Sequence, residues 1–289
     1  MSASLTDRDI ALLSDVYTYR YLSVPQIEAL HFPSIRTAHR RLQTLLEGKY
    51  LKAFTAPGIS GRIFYLGKSG AEVVAWEKQI ELDELHQYRG MKAPKDYYFL
   101  RHFLAINDFR ITLTLACKNT SLTLLGFIPE YVGEKTNKGH VKKYLRDAVQ
   151  DLATTSRHIS HTPDAVFALE KEGKAALFFV EIDRGIEAID SPEKGVLKSI
   201  VFYLNYWVAG KCTRYASDFG REFQTFRTLF ITTSPVRLQH MREAATTYPF
   251  TKPQAKRFLW GATNVTQDNI FSDIWQSLDA TDETHYKIG

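Results

Sequence analysis

Three acidic residues in the second half of the chain have the types and spacing to act together on a phosphate. Asp164 follows Pro163, and Glu181 and Asp183 flank Ile182 at the end of an apolar run. Because side chains alternate along a strand, Glu181 and Asp183 should point to one face. Carboxylates held close together repel one another, so a divalent cation or an arginine must offset their charge. The pattern is typical of metal-dependent phosphodiester chemistry.

The same residues also have a structural interpretation. Asp183 and the adjacent Arg184 can form ion pairs at the end of a strand and take no part in chemistry. From the residues alone, both interpretations stay open.

The elements around these carboxylates are predicted from periodicity and turn residues. Residues 164–169 and 175–182 read as two strands of a hairpin, with its turn at 170–174. A helix and a strand precede the hairpin, at residues 101–117 and 122–128. The predicted elements that follow it are a helix at 191–209, a strand at 226–232, a helix at 235–246, a short strand at 257–261 and a closing amphipathic helix at 269–278.

Composition excludes several classes of protein. The net charge of +5 mildly favours an anionic partner. Two cysteines, Cys117 and Cys212, are too few for a cysteine zinc site, and no glycine-rich nucleotide-binding loop is present, so we expect neither zinc nor a bound nucleotide. No apolar run approaches the roughly 18 residues of a membrane span, and the first residues lack a signal pattern. A cytoplasmic protein without membrane partners is the default expectation.

Three helices are predicted at the start of the chain. Thr6 with Asp9, and Ser23 with Gln26, have the spacing of capping boxes, and Ser34 caps a third helix that ends near Glu47. One face of this third helix is apolar and should pack inward; its residues are Ile35, Ala38, Leu42, Leu45 and Leu46.

The other face of the third helix is basic. From residue 34 to residue 52, five cationic side chains face one glutamate, a net charge of +4. A hairpin with a turn at residues 57–61 follows. The candidate DNA-binding residues on the helix and the hairpin are Arg36, Thr37, Arg40, Arg41, Gln43, Thr44, Lys52 and Arg62.

Three helices followed by a hairpin resemble a winged helix-turn-helix domain. The resemblance implies that the third helix enters the major groove of duplex DNA while Lys52 and Arg62 contact phosphates. A basic helix face used for protein contacts is the alternative.

The second half resembles the restriction-endonuclease-like superfamily, PD-(D/E)xK, in the order helix, three strands, helix, strand. Pro163-Asp164 resembles its first motif and residues 181–183 its second. The resemblance implies an α/β domain with a central mixed sheet, in which Asp164, Glu181 and Asp183 hold Mg²⁺. The second motif normally ends in lysine where this chain has Asp183. Lys198, on the next helix, is the candidate replacement, with Lys194, one turn earlier, as the alternative.

The whole chain resembles the replication-relaxation family. The resemblance rests on the N-terminal module, the segment Arg101–Arg110, the two acidic motifs, and Lys198 with Tyr203 and Tyr206. It implies a winged-helix domain at 1–80, a linker at 81–97 and a nuclease-like domain at 98–289.

Two functions are compatible with this resemblance. One is a DNA-binding accessory protein of plasmid or mobile-element replication, relaxation or mobilisation, with a Mg²⁺-dependent nicking domain and relaxase or replication proteins as partners. The other is a transcriptional regulator or relaxosome scaffold. In that case the second domain is catalytically silent and serves dimerisation or partner docking, with Tyr203, Tyr206 and Trp207 at an interface.

Overall fold

The computed structural model describes residues 4–85, 97, 99–135, 141–153, 157–191, 194–247 and 258–289. The chain divides into two compact units, residues 1–111 and 112–289. This division falls later than the domain boundary predicted from the sequence. Most of the predicted linker, residues 86–96, lies outside the described residues.

The first unit is built from helices and a small antiparallel sheet. Its elements are α1 (Asp7–Tyr19), β1 (Leu22–Ser23), α2 (Val24–His31), α3 (Ile35–Glu47), β2 (Leu51–Phe54), β3 (Ile63–Leu66), α4 (Lys68–Glu77), a 3₁₀ turn (Leu82–Glu84) and the first part of α5 (Leu100–Lys118). The three strands lie in the order β1-β3-β2.

The predicted capping residues begin the first three helices. Asp9 Oδ2 accepts hydrogen bonds from the backbone nitrogen and hydroxyl of Thr6, at 2.8 and 2.6 Å. Gln26 closes a capping box on the backbone nitrogen of Ser23 at 2.9 Å, and Ser34 accepts from the backbone of Thr37. These bonds satisfy backbone donors that would otherwise lack partners in the first turn of each helix.

The apolar face of α3 packs inward with one exception. Ala38, Leu42 and Leu45 are fully buried and Leu46 is half-buried, whereas Ile35 is 47% exposed. The prediction that Ile35 is a core residue was therefore wrong. Ile35 is the first residue of the helix, and its side chain leans back towards the N-terminus, beyond the part of α3 that packs.

The first part of α5 belongs to the N-terminal unit because it bonds to that unit's helices. Gln26, which is buried in α2, donates to Asp108 at 2.7 Å. Asn107 donates to the carbonyl oxygen of Tyr21 at 2.8 Å. These buried polar contacts explain why the division falls inside α5 and not at residues 81–97.

The second unit contains a seven-stranded mixed sheet in the order β14-β13-β12-β11-β10-β9-β4. Strands β10, β11 and β12 are parallel to one another, and the remaining pairs are antiparallel. The strands of the unit are β4 (Thr123–Pro129), β5 (Gly133–Lys135), β6 (Val141–Lys143), β7 (Asp147–Gln150), β8 (His158–His161), β9 (Ala165–Lys171), β10 (Lys174–Ile182), β11 (Phe226–Thr232), β12 (Leu259–Thr263), β13 (Trp275–Ser277) and β14 (His285–Tyr286). Its helices after α5 are α6 (Val196–Val208), α7 (Ala216–Phe219) and α8 (Pro235–Thr247).

The two faces of β10 differ as strand alternation predicts. Leu177 and Phe179 pack with α6 and α8 in the main core. Phe178, on the opposite face, stacks on Phe167 of β9 with ring centroids 4.9 Å apart. Glu181 has the same parity as Leu177 and Phe179, so it faces the side of the sheet that α6 and α8 cover.

The end of the chain differs from its prediction. Residues 269–278 do not form a helix; they contain the strand β13, which pairs with β12. Trp275 is fully buried there, and its indole nitrogen donates to the carbonyl oxygen of Ile270 at 2.9 Å. Pairing at the sheet edge therefore overrides the helical periodicity of this segment.

Within the described residues, no helix is long and apolar enough to cross a lipid bilayer.

Candidate functional site

The outward face of α3 carries exposed polar side chains. Arg36, Arg40 and Gln43 are exposed. Thr37 and Thr44 are half-buried, and their hydroxyls donate to backbone carbonyl oxygens of the same helix, at 2.7 and 3.3 Å. The three exposed side chains are therefore more accessible to a ligand than the two threonines.

Gln43 connects α3 to the β2–β3 hairpin. Its amide nitrogen donates to Glu47 at 3.0 Å, and its amide oxygen accepts from Arg62 of the hairpin at 3.4 Å. Lys52, on β2, is exposed. Helix and hairpin thus present cationic groups beside one another.

Arg41 does not take part in the exposed basic face. Its guanidinium donates to both carboxylate oxygens of Asp9, at 2.8 and 2.6 Å, and to the carbonyl oxygen of Ser4 at 3.0 Å. Burial opposes ionisation of Asp9, but the hydrogen bonds from Arg41 and Thr6 outweigh it and hold its pKa below the ordinary value. The structure thus corrects the expectation that Arg41 reads DNA, because its donors neutralise a fully buried carboxylate.

The carboxylates of the second unit lie at the ends of β9 and β10. Asp164 directly precedes β9, and its backbone nitrogen donates to the carbonyl oxygen of Val180 at 3.1 Å. One of its carboxylate oxygens accepts from the backbone nitrogen of Ile182 at 2.6 Å. Asp164 is 9% exposed. The Asp164 carboxylate therefore connects the start of β9 to the end of β10.

Glu181 is held by a histidine and a tyrosine. Its Oε1 lies 2.7 Å from Nε2 of His161, on β8, and accepts a hydrogen bond from the hydroxyl of Tyr203, on α6. The side chains of His161 and Glu181 are 15% and 13% exposed. The carboxylate therefore has two neighbours that bind it without a metal.

The charges at this cluster shift the pKa values of its members. Burial opposes protonation of His161, yet Glu181 and Asp164 raise its pKa above the ordinary value, against a smaller opposing effect of Lys198. Burial, followed by the charge of Glu181, raises the pKa of Tyr203 well above its ordinary value. The Tyr203 hydroxyl thus keeps its proton and donates it in the hydrogen bond to Glu181. Lys198 is half-buried near the start of α6.

Asp183 has different partners from Glu181. Arg237, on α8, donates to both of its oxygens, with Nη2 2.7 Å from Oδ1. Thr232 donates to it at 2.6 Å, and the backbone nitrogen of Gly185 at 3.2 Å. The Asp183 side chain is 4% exposed. Asp183 therefore forms a buried ion pair, as the structural interpretation expected, but its cation is Arg237 and not the adjacent Arg184.

The residues do not fit the three-carboxylate Mg²⁺ site that the sequence suggested. Arg237 neutralises Asp183, and His161 and Tyr203 occupy one oxygen of Glu181. No group of three histidine, cysteine or acidic side chains in the described part of the chain is arranged to hold a metal ion. Asp183 is thereby removed from the set of candidate ligands.

Sequence reasoning missed the partners of these carboxylates. His161, Tyr203 and Arg237 come from β8, α6 and α8, so no local spacing marks them. The general rule that a buried carboxylate needs donors is the one available signal. Tyr203 and Tyr206 are fully buried in the core of the second unit. They are therefore not interface residues, which corrects that part of the scaffold hypothesis.

Comparison with known proteins places the chain in a family. The restriction endonuclease FokI aligns over 90% of this chain and 43% of its own, with 13% identity and a TM-score of 0.25. This chain thus spans less than half the length of FokI, and at that TM-score the likeness says nothing about function. No curated protein sequence matches. The sequence model of the replication-relaxation family matches residues 13–221, more than half of the chain. This protein therefore belongs to the replication-relaxation family.

Proposed function

We propose that the protein is a DNA-binding accessory factor of plasmid or mobile-element replication, relaxation or mobilisation. The N-terminal unit acts as a winged helix in this proposal, with α3 in the major groove and the β2–β3 hairpin against the backbone. The order of its elements, three helices followed by an antiparallel hairpin, supports this assignment.

The observation that carries the proposal is the exposed basic face of α3. Arg36 and Arg40 lie four residues apart on one side of the helix and are exposed, and Lys52 and Arg62 follow on the hairpin. Arginine and lysine side chains on a helix and an adjacent hairpin suit the phosphates on either side of a groove. Gln43, between them, has an amide that suits a base edge.

The second unit acts as a docking domain without nuclease activity in this proposal. It has the mixed sheet expected of a restriction-endonuclease-like domain. Asp183 occupies the position where that superfamily has a lysine, and it is paired with Arg237. Relaxase or replication proteins are the partners that such a domain would position on DNA.

A nicking activity is the second candidate function. Asp164 and Glu181 lie at the ends of adjacent strands, and the charge of Lys198 reaches the same cluster. This geometry keeps two acidic groups and one cation of a PD-(D/E)xK site. Asp183 would take no part in such a site while Arg237 holds it.

The first experiment tests DNA binding. A labelled duplex of random sequence, titrated with the full chain at several salt concentrations, should bind with an affinity that falls as salt rises. Arg36→Ala with Arg40→Ala should reduce the salt slope by about 2, one unit for each lost phosphate contact. Lys78→Ala, which removes an exposed cation directly after the end of α4, is the matched control and should leave the slope unchanged. An unaltered slope in the double variant rules out α3 as the DNA-binding element.

The second experiment separates docking from nicking. Supercoiled plasmid is incubated with the protein and Mg²⁺ or Mn²⁺, and open-circular product is measured. We expect no product above background from the wild type or from Asp164→Ala. Nicking by the wild type that Asp164→Ala abolishes would establish the second candidate function.

A further inference from the structure

We propose that a pocket beside α4 binds a cationic peptide segment of a protein partner, with the indole of Trp76 as its anchor. The pocket is a cavity of about 590 Å³ in the N-terminal unit, formed where α4 ends and the following 3₁₀ turn begins. Trp76, Ile80, Glu77, Glu81 and Glu84 line it. The inference goes beyond DNA binding and assigns a second recognition surface to the same unit.

The exposure of Trp76 beside the pocket supports this assignment. Trp76 is 73% exposed, whereas Trp260 and Trp275 are at most 4% exposed. A large exposed aromatic ring beside a cavity is a frequent anchor in protein interfaces. Because Trp76 sits on the outer side of α4, the fold itself does not require this ring.

The charge around Trp76 selects a cationic partner. Residues 72–84 carry five carboxylates and one lysine, a net charge of −4 in a chain whose total is +5. The lysine, Lys78, places its ammonium 5.7 Å from the ring centroid of Tyr17. DNA would be repelled by such a surface. An arginine or lysine side chain can stack on the indole and pair with the glutamates.

The pocket and the basic face of α3 give the N-terminal unit two surfaces of opposite charge. Residues 34–52 have a net charge of +4, against −4 for residues 72–84. A partner with a basic segment is therefore drawn to the α4 surface, while duplex DNA is drawn to α3.

The test uses a labelled peptide of alternating arginine and leucine, with a matched peptide of alternating glutamate and leucine. Fluorescence anisotropy with the full chain should show binding of the arginine peptide alone. Trp76→Ala should weaken binding about fivefold through loss of the cation–π contact. Glu77→Gln with Glu81→Gln should also weaken binding. The loss of affinity relative to the wild type should be larger at low salt, where charges are screened less. The side chains of Glu81 and Glu84 form a reciprocal capping box on the 3₁₀ turn, so Glu84 is left intact and glutamine keeps an acceptor oxygen at position 81.

Two controls distinguish the pocket from general attraction of cations. Glu222→Gln removes an exposed carboxylate from the second unit and should leave peptide binding unchanged. The indole N–H resonance of Trp76, identified by its loss in Trp76→Ala, should shift when the arginine peptide is added. Duplex binding by Trp76→Ala should equal that of the wild type, so a failure of this proposal is distinguishable from a failure of DNA binding.

Three outcomes would overturn the proposal. Equal affinity of wild type and Trp76→Ala would mean that the peptide binds by charge alone. A Trp76 resonance that stays fixed at saturating peptide would place the peptide elsewhere. Sedimentation equilibrium in which Trp76→Ala converts a dimer to a monomer would make the pocket a contact between two copies of this chain.

Discussion

Arg237, on α8, binds both carboxylate oxygens of Asp183, which follows β10, although 54 positions separate the two residues in the sequence. Thr232 donates to the same carboxylate, so the acidic group is neutralised and hydrogen-bonded inside the unit. This relationship turns a candidate metal ligand into a structural ion pair. It also ties the end of β10 to α8.

Removing Arg237 should destabilise the second unit. Arg237→Ala leaves a carboxylate whose side chain is 4% exposed without its cation, and loss of one partner of a buried pair costs about 3 kcal/mol. Urea unfolding measures the change in the free energy of unfolding. Arg237→Ala with Asp183→Asn should recover part of the loss, because the amide needs no counter-charge. A double variant less stable than the single one would contradict this.

Alanine substitutions at Arg41 and at Arg40 should change the stability of the protein by different amounts, although the two residues are adjacent. Arg41→Ala leaves the fully buried Asp9 with its Thr6 hydrogen bonds but without its cation, and should lower the free energy of unfolding by about 3 kcal/mol. Arg40→Ala, at an exposed position, should change stability by less than about 0.5 kcal/mol. Thermal unfolding of both variants tests this difference, and equal melting temperatures would count against the assigned role of Arg41.

Asp9 should make the N-terminal unit sensitive to acid. Its pKa in the folded protein is lowered by Arg41 and Thr6, so it binds a proton less readily than in the unfolded chain. Its stabilising contribution is complete above the unfolded pKa of about 3.9 and is lost as pH falls through the lower folded value. The variant Asp9→Asn does not ionise at residue 9, so it should lack this pH-dependent contribution to stability. The difference in stability between wild type and variant should therefore shrink below about pH 4.

His161 should give the opposite pH dependence. Its folded pKa is raised by Glu181 and Asp164, so its contribution is complete below the unfolded pKa of about 6.5 and is lost as pH rises through the folded value. His161→Gln keeps a donor for Glu181 but does not titrate, so its stability should fall less than that of the wild type on going from pH 6 to pH 9.

His158, exposed on the same strand, provides the matched control for this measurement. His158→Gln should follow the pH dependence of the wild type. If His161→Gln also follows it, the pairing of His161 with Glu181 carries no proton-linked stability.

The sequence by itself determined those features that depend on neighbours along the chain. Thr6, Ser23 and Ser34 mark helix starts because a capping bond spans three residues. The β9–β10 hairpin follows from a turn between two apolar runs, and the face of β10 that carries Glu181 follows from strand alternation. These signals act over a few residues, so they do not need the rest of the fold.

Only the tertiary structure decided which partner each charged side chain meets. Arg41 meets Asp9 across 32 positions, and Arg237 meets Asp183 across 54. Periodicity carries no information on such pairs, because they depend on how helices and strands pack. The closing segment shows the same limit: its helical pattern yields to β-pairing that buries Trp275. Long-range burial and charge neutralisation therefore fixed the site, while local propensity fixed its elements.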